Sequence, residues 1–157
     1  MAAITGKLEV EVEIKSDAQK YWKNIRESHT LFPKICSDLY KSIEVLEGDG
    51  RSVGSVRLIT YADGTPLVTF SKEKAEVFDD ENMAMGYSIL EGELMEYYKK
   101  FEAHFTVCSK EKGTEGCLVK WWCDFEKTSH EIPDPNAIQE FTVKNLKEVD
   151  DYTLQQA

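Results

Sequence analysis

The first candidate for a functional site is a cation and a carboxylate on neighbouring predicted strands. Arg57 shares its phase with Ile59 and Tyr61, so strand alternation aims it toward the interior. A buried guanidinium destabilises a protein unless it is paired. Two interpretations are open: a bulge or register slip turns Arg57 outward, or Arg57 lies beside a cavity that takes an acidic or carbonyl-bearing ligand. Glu73 is its candidate partner.

A glycine-rich stretch at residues 47–55 is the second candidate. A phosphate loop of the form G-x4-G-K-[ST] needs four residues between its glycines and then a lysine, whereas three residues separate Gly50 from Gly54 and Ser55 follows. Backbone amides in such a loop can still form an anion nest. We favour a hairpin connection over the nest; the glycines concerned are Gly48, Gly50 and Gly54.

The histidines and cysteines form no recognisable catalytic or metal-binding set. His29, His104 and His130 belong to separate predicted elements, and the four cysteines include no CxxC pair and no zinc-finger spacing. Free thiols are therefore expected, and neither a metal nor another cofactor is predicted. The carboxylates are too many and too evenly spread for spacing to select an acid–base pair, so no catalytic residue is assigned.

Charge argues against nucleic acid as a partner. The 157 residues include 29 acidic and 19 basic side chains, a formal net charge of −10, and no Lys/Arg-rich run. The opening residues lack the apolar core of a signal peptide, and no apolar run reaches the roughly 20 residues that span a membrane. We expect one domain over residues 1–157, without a transmembrane segment, cytoplasmic and monomeric.

The element that must position these groups is a long amphipathic helix predicted at residues 134–155, with Asp134 as its N-cap and Pro135 in its first turn. Thr142 and Asn145 interrupt its apolar face. They either bond to the backbone and a neighbouring loop or face a cavity where they meet a ligand or water. The apolar positions of that face are Ile138, Phe141, Leu146, Val149 and Tyr152.

The rest of the chain predicts a sheet. Residues 7–14 alternate as a half-buried strand, the Ser16–Asp17 pair can cap a short helix, a second short helix follows at 30–36, and six strands occupy residues 41–126. This pattern predicts an α+β fold in which the terminal helix lies against an antiparallel meander. Composition alone favours an ordinary core for the inward residues, which are Ile59, Tyr61, Leu67, Thr69, Met85, Tyr87, Ile89, Phe101, Ala103, Phe105, Val107, Val119, Trp121, Cys123 and Phe125.

Several motifs resemble those of the major birch pollen allergen superfamily. They are Leu-Phe-Pro-Lys at 31–34, the glycine-rich loop at 48–55, Tyr-Ser-Ile-Leu-Glu-Gly at 87–92 and Asp-Pro at 134–135. Three more are closer to its major latex protein branch: Gly-Lys-Leu-Glu-Val at 6–10, Arg-Leu-Ile-Thr-Tyr at 57–61 and Phe-Glu-Lys-Thr at 125–128. The likeness covers nearly the whole chain.

The resemblance implies the helix-grip fold, a seven-stranded antiparallel sheet around the C-terminal helix with two short helices and a large cavity. It implies a plant cytosolic protein of defence and stress responses that carries or stores a lipid, sterol, flavonoid or hormone. Cavity-based isomerase, cyclase or lyase activity is the alternative, since some relatives form alkaloids; ribonuclease activity comes third. The resemblance also implies that the inward residues line the cavity, together with Phe32, Arg57, Ile138, Phe141, Thr142 and Asn145.

Overall fold

A computed structural model of the protein describes residues 4–65, 68–110 and 115–156. Within these ranges the strands are β1 (Thr5–Ile14), β2 (Tyr40–Glu47), β3 (Val56–Tyr61), β4 (Phe70–Asp79), β5 (Ala84–Gly92), β6 (Tyr98–Ser109) and β7 (Cys117–Lys127). The helices are α1 (Ala18–Ile25), α2 (Ser28–Ile35), α3 (Leu94–Tyr97) and α4 (Asn136–Gln155). This arrangement confirms the predicted α+β helix-grip fold.

The strands form one antiparallel sheet in the order β1-β7-β6-β5-β4-β3-β2. The predicted meander is correct for β2 to β7 and wrong for β1, which pairs with β7, so that Leu8 lies opposite Cys123. The reason is that α1 and α2 separate β1 from β2, and the chain is carried across the sheet before β2 begins. β1 and β2 are therefore the two edges.

The short helix α1 begins where the sequence predicts. The carboxylate of Asp17 accepts a hydrogen bond from the amide of Lys20 at 3.2 Å, which satisfies one of the free N–H groups of the first turn. Tyr21 and Ile25 on its inner face are almost completely buried. The hydroxyl of Tyr21 donates to the carbonyl of Leu146 at 2.7 Å, which ties α1 to α4.

The start of α4 differs from the prediction. Asp134 does not cap the helix; its carboxylate pairs with Lys127 at 2.8 Å, and the fully buried Pro135 occupies the N-cap position without a side-chain hydrogen bond. The buried arc also includes Asp150, which accepts hydrogen bonds from the amides of Lys15 and Ser16 at 2.9 and 3.0 Å. A buried carboxylate is stabilised by such donors, and these anchor α4 to the β1–α1 connection.

Two groups of buried apolar side chains fill the space between sheet and helices. One lies under α1, α2 and the second half of α4, and the other surrounds Tyr98 and Phe101 near α3. Tyr61 and Phe105 pack against both groups. None of the helices described here has the length and apolar character needed to cross a membrane.

Candidate functional site: a cavity beneath the terminal helix

Where the two apolar groups meet, they leave an internal cavity of about 130 Å³ between the sheet and the first half of α4. Its wall is mainly aliphatic and aromatic. The structure places these residues from the sequence-based set in that wall: Phe32, Arg57, Ile59, Tyr61, Tyr87, Ile89, Phe101, Ala103, Phe105, Trp121, Ile138, Phe141, Thr142 and Asn145.

Other expected lining residues lie elsewhere. These residues are at most 4% exposed and belong to the packed core, not to the cavity wall: Met85, Val107, Val119, Cys123 and Phe125. Strand alternation gives them the inner face correctly, but neighbouring side chains cover them completely. Leu67 lies outside the described residues.

Thr69 was expected inside and is exposed. It precedes β4, and its amide and hydroxyl both donate to the carboxylate of Glu93. β4 starts at Phe70, so the period-two pattern that predicted an inward side chain does not extend to this position. Thr69 therefore contacts a neighbouring segment and contributes nothing to the cavity wall.

Sequence reasoning missed several wall residues, which are Ile25, Tyr40, Thr65, Val68, Glu73, Leu94, Ala137 and Leu146. Leu146 lies on the predicted apolar face of α4 and Glu73 was named as the partner of Arg57, so a signal existed for both. Thr65 and Val68 belong to a connection, where strand periodicity gives no orientation. Leu94 belongs to α3, a short helix that the sequence analysis does not predict.

Four aromatic rings, Phe32, Tyr40, Tyr61 and Phe141, form an aromatic cluster along one side of the cavity. The ring centres of Phe32 and Tyr40 are 5.5 Å apart, and those of Tyr40 and Tyr61 are 6.0 Å apart. Phe141 meets Tyr40 and Tyr61 edge-on, at 5.4 and 5.6 Å. Edge-to-face pairs at these distances are favourable beyond the area they bury. The cluster joins α2, β2 and β3 to α4.

The polar end of the cavity is built around Arg57, which points inward. Its register partner on β4 is Glu73, and the Arg57 Nε donates to Glu73 Oε1 at 3.1 Å while each side chain is 12% exposed. A second nitrogen donates to the Ser28 hydroxyl at 2.8 Å. Burial alone would lower the pKa of Arg57, but Tyr87 and Glu73 outweigh it and raise the pKa, so the guanidinium stays charged.

A second polar group lies on α4. Asn145 is 6% exposed, and its Nδ2 donates to the hydroxyl of Tyr40 at 3.1 Å. Its carbonyl oxygen, Oδ1, is buried and has no hydrogen-bond partner in the described part of the chain. Burial raises the pKa of Tyr40 well above its ordinary value, so this phenol is neutral near pH 7.

At one end, the cavity wall consists of connections and helix ends, with Thr65 and Val68 from the β3–β4 connection, Leu94 from α3 and Ala137 from α4. We call this part of the wall the connection end. Glu93 anchors the connection end by accepting hydrogen bonds from the hydroxyl and amide of Thr69 and from the amide of Phe70. These hydrogen bonds lower the pKa of Glu93 to about 2.

The sequence matches the family described as "Pathogenesis-related protein Bet v 1 family" over residues 3–156. The chain belongs to the Bet v 1 family. The match confirms the resemblance seen in the sequence, and the membership agrees with the observed order of elements.

Individual relatives connect this Bet v 1 chain with major latex proteins. "MLP-like protein 423" of Arabidopsis thaliana is 51% identical over 153 residues, covering 98% of this chain and 97% of that protein. "Major latex protein 146" of Papaver somniferum is 35% identical over 136 residues, covering 86% and 82%. The crystal structure of ginseng major latex-like protein 151 from Panax ginseng has a TM-score of 0.86 at 25% identity, covering 97% and 99%.

The glycine-rich loop of this family member is a hairpin connection. Gly48, Gly50 and Gly54 have positive φ angles of 78°, 80° and 92°, which glycine adopts without strain. Amides that an anion nest would need are bonded inside the protein: Gly50 to the Ser55 hydroxyl, Arg51 to the Asp49 carboxylate, Gly54 to the Ala75 carbonyl and Ser55 to the Ser52 carbonyl. These four amides are therefore not available to an anion, which favours the hairpin connection.

Among the described residues, the wall of this Bet v 1 cavity carries few ionisable groups. Its one described carboxylate, Glu73, is held by Arg57, and no histidine lies in its wall among the residues described. His104 stacks on Trp122 with ring centres 5.2 Å apart, on a strand position that alternates away from the cavity. The described residues also contain no cluster of three or more His, Cys, Asp or Glu that suits a metal.

Proposed function

We propose that the protein binds a hydrophobic or amphiphilic small molecule in this cavity and carries or stores it. The observation that supports the proposal is an internal space with apolar and aromatic walls and a few polar groups, Arg57, Thr142 and Asn145 among them. Apolar walls supply most of the affinity in such sites, and a few polar groups orient the ligand. Membership of a family of pathogenesis-related proteins supports a role in plant defence or stress.

The volume limits what the observed conformation accepts. A cavity of about 130 Å³ is smaller than the roughly 300–1,000 Å³ of ordinary ligand pockets. It is close to the roughly 150 Å³ of an engineered apolar cavity that binds benzene. A single ring fits as the cavity stands, whereas a sterol or flavonoid requires movement of the aromatic cluster or of the connection end. Binding of large ligands is therefore coupled to rearrangement, and the free energy of that rearrangement lowers the affinity.

Arg57 orients a ligand as part of a fixed wall, since its charge is already balanced by Glu73. This pairing also weakens the enzymatic alternative. An isomerase, cyclase or lyase needs a base that is free to take a proton, and the Glu73 carboxylate is already bonded to Arg57. We place carrier activity in the cytoplasm and assign it to the monomer.

The test uses the recombinant protein and benzene, a neutral single ring of the size that the cavity accepts, with binding measured by isothermal titration calorimetry. Wild type should bind the probe saturably at one site, and apolar molecules should displace it competitively. Ala103→Leu adds volume inside the cavity and should weaken probe binding at least about tenfold. Thr106→Leu, three residues further along β6 with the opposite phase, is the matched control and should bind as wild type does.

Native mass spectrometry of the protein purified from plant tissue complements this titration by detecting a co-purified small molecule. Thermal unfolding should establish that both variants are folded before binding is compared. Equal affinities for wild type and a folded Ala103→Leu would place the probe outside the cavity and contradict the proposal. An absence of saturable binding to wild type would have the same consequence.

A further inference from the structure

The amide of Asn145 presents an unsatisfied acceptor inside the cavity. The side chain is 94% buried, lies in the wall, and leaves Oδ1 without a partner in the described residues. An unpaired buried acceptor is unfavourable, and more than nine-tenths of buried polar groups in native proteins find a partner. A leucine at this position of α4 would avoid the penalty. The amide is therefore a specific feature of the cavity and not a packing requirement.

Tyr40 adds the complementary group. Its hydroxyl accepts a hydrogen bond from Asn145 Nδ2 at 3.1 Å and keeps its own proton for another acceptor. Among the hydrogen bonds of the described residues, none is donated by this hydroxyl. We call these two side chains the Asn145–Tyr40 pair. Both residues line the cavity, and between them they leave one acceptor, Asn145 Oδ1, and one donor, the Tyr40 O–H, without a partner among the described residues.

We propose that the Asn145–Tyr40 pair binds the hydroxyl group of an alcohol or phenol and so selects a hydroxylated ring over its unsubstituted and carboxylated analogues. This inference rests on the proposed function and specifies its ligand class. A hydroxyl donates one hydrogen bond and accepts others through the same oxygen, which matches both members of the pair. The ligand's proton goes to Asn145 Oδ1, and its oxygen accepts from Tyr40.

A carboxylate is disfavoured for two reasons. It has no proton to give to Asn145 Oδ1, so two acceptor oxygens would face each other. It would also lose its hydration inside an apolar cavity, where a charge requires a partner. The available cation, Arg57, already pairs with Glu73 at 3.1 Å and binds Ser28 at 2.8 Å. A bound carboxylate would have to break that pair.

The cavity size determines the probes for the test. Phenol, toluene and benzoate share one ring and differ in the single group that meets the pair, and a ring of this size suits a cavity of about 130 Å³. Affinities are measured by isothermal titration calorimetry at pH 7, where phenol is neutral. We define the hydroxyl preference as the toluene dissociation constant divided by that of phenol, which cancels the shared contribution of the ring.

Wild type should bind phenol more tightly than toluene, and benzoate more weakly than either. Asn145→Leu, of similar volume, should lower the hydroxyl preference by about tenfold or more through loss of phenol affinity. A site that hydrogen-bonds a hydroxyl binds an analogue without one weakly, because the site's own polar groups are then left unpaired. Tyr40→Phe keeps the ring packing and should lower the preference in the same direction. If Asn145→Leu does not fold, Tyr40→Phe tests the inference in its place. Gln139→Leu, an amide removed from α4 outside the cavity, should retain the wild-type preference.

The outcomes separate this inference from the proposed function. If toluene and phenol bind with a ratio that Asn145→Leu and Tyr40→Phe leave unchanged, the cavity binds apolar rings but the pair does not select them, and only this inference fails. Tighter binding of benzoate than of phenol would also overturn it. If none of the three probes binds and benzene does not bind either, the carrier function fails, and this inference fails with it.

Discussion

The guanidinium of Arg57 lies 4.1 Å from the centre of the Tyr87 ring, and the Arg57 Nε donates a hydrogen bond to the Glu73 carboxylate. A cation over an aromatic face is attracted by the negative ring face, and more strongly when water is excluded. Ser28, at the start of α2, provides a third contact. The cation thereby links α2, β3, β4 and β5 at the polar end of the cavity, and it is a structural part of that wall.

Removing this cation should destabilise the protein strongly. Arg57→Met leaves Glu73 buried without its partner, and loss of one member of a buried pair costs about 3–5 kcal/mol in the free energy of unfolding. Urea unfolding at pH 7 measures it. Arg51→Met is the matched control, because it breaks a pair with Glu27 in which both side chains are at least 30% exposed, and it should lower the free energy of unfolding much less than Arg57→Met does. Similar losses in the two variants would contradict the buried-pair account.

Phe141 should control both stability and cavity size. Phe141→Ala removes the ring that meets Tyr40 and Tyr61 edge-on and should cost about 3 kcal/mol or more in the free energy of unfolding. The space it leaves joins the cavity, so two-ring ligands such as 2-naphthol should bind the folded variant more tightly than wild type. Chemical denaturation and calorimetry measure the two effects. A stability loss without any change in naphthol affinity would show that the ring is core and does not limit the ligand.

Glu93 should control the rate of ligand exchange. Glu93→Ala removes the acceptor of the Thr69 and Phe70 amides, so hydrogen exchange at these amides should become faster. Ligand dissociation should become faster as well, because these hydrogen bonds anchor the connection end of the cavity. Glu91→Ala, a neighbouring exposed carboxylate on β5, is the control. Because the folded pKa of Glu93 is about 2 and its ordinary value is 4.5, its contribution to stability is present above pH 4.5 and decreases as the pH falls toward 2. Unchanged exchange in Glu93→Ala would disprove this role.

Glu148 on α4 should make stability depend on pH near neutrality. Burial, with Asp38 nearby, raises its pKa to about 7 from an ordinary 4.5, and its Oε1 lacks a partner within the described ranges. The folded state therefore keeps a proton that the unfolded state has lost, so stability should fall as the pH rises from 4.5 to 7 and then level off. Asp38 pairs with Lys144 at 3.0 Å. Hydrogen bonding to Glu148 lowers the pKa of Asp38, so this carboxyl titrates below the range of pH 4.5 to 7.

Glu148→Gln removes the titrating group and should flatten the profile between pH 4.5 and 7 while raising stability at pH 8. Glu140→Gln, an exposed carboxylate on the same helix, should leave the slope unchanged. Thermal unfolding at several pH values measures both variants. A wild-type slope that persists in Glu148→Gln would assign the pH dependence to another group.

Several elements could be predicted because their causes are local. The alternation of residues 7–14 identifies β1, since every second side chain must face the core, and Asp17 identifies the start of α1 through its bond to the Lys20 amide. The same kind of reasoning failed at Asp134. Its residue type suits an N-cap, but the carboxylate pairs with Lys127, which is close only in the folded chain.

The sequence by itself determined the α+β class, the terminal amphipathic helix, the inner face of most strands and the likeness to the Bet v 1 family, because these depend on periodicity and local motifs. The tertiary structure alone shows that Phe141 lines a small cavity while Val119 is packed core, that β1 joins β7, and that Asn145 Oδ1 has no partner among the described residues. The physical reason is distance along the chain. A repeat of two or 3.6 residues indicates which way a side chain faces, whereas the space in front of it depends on elements that lie far away in sequence.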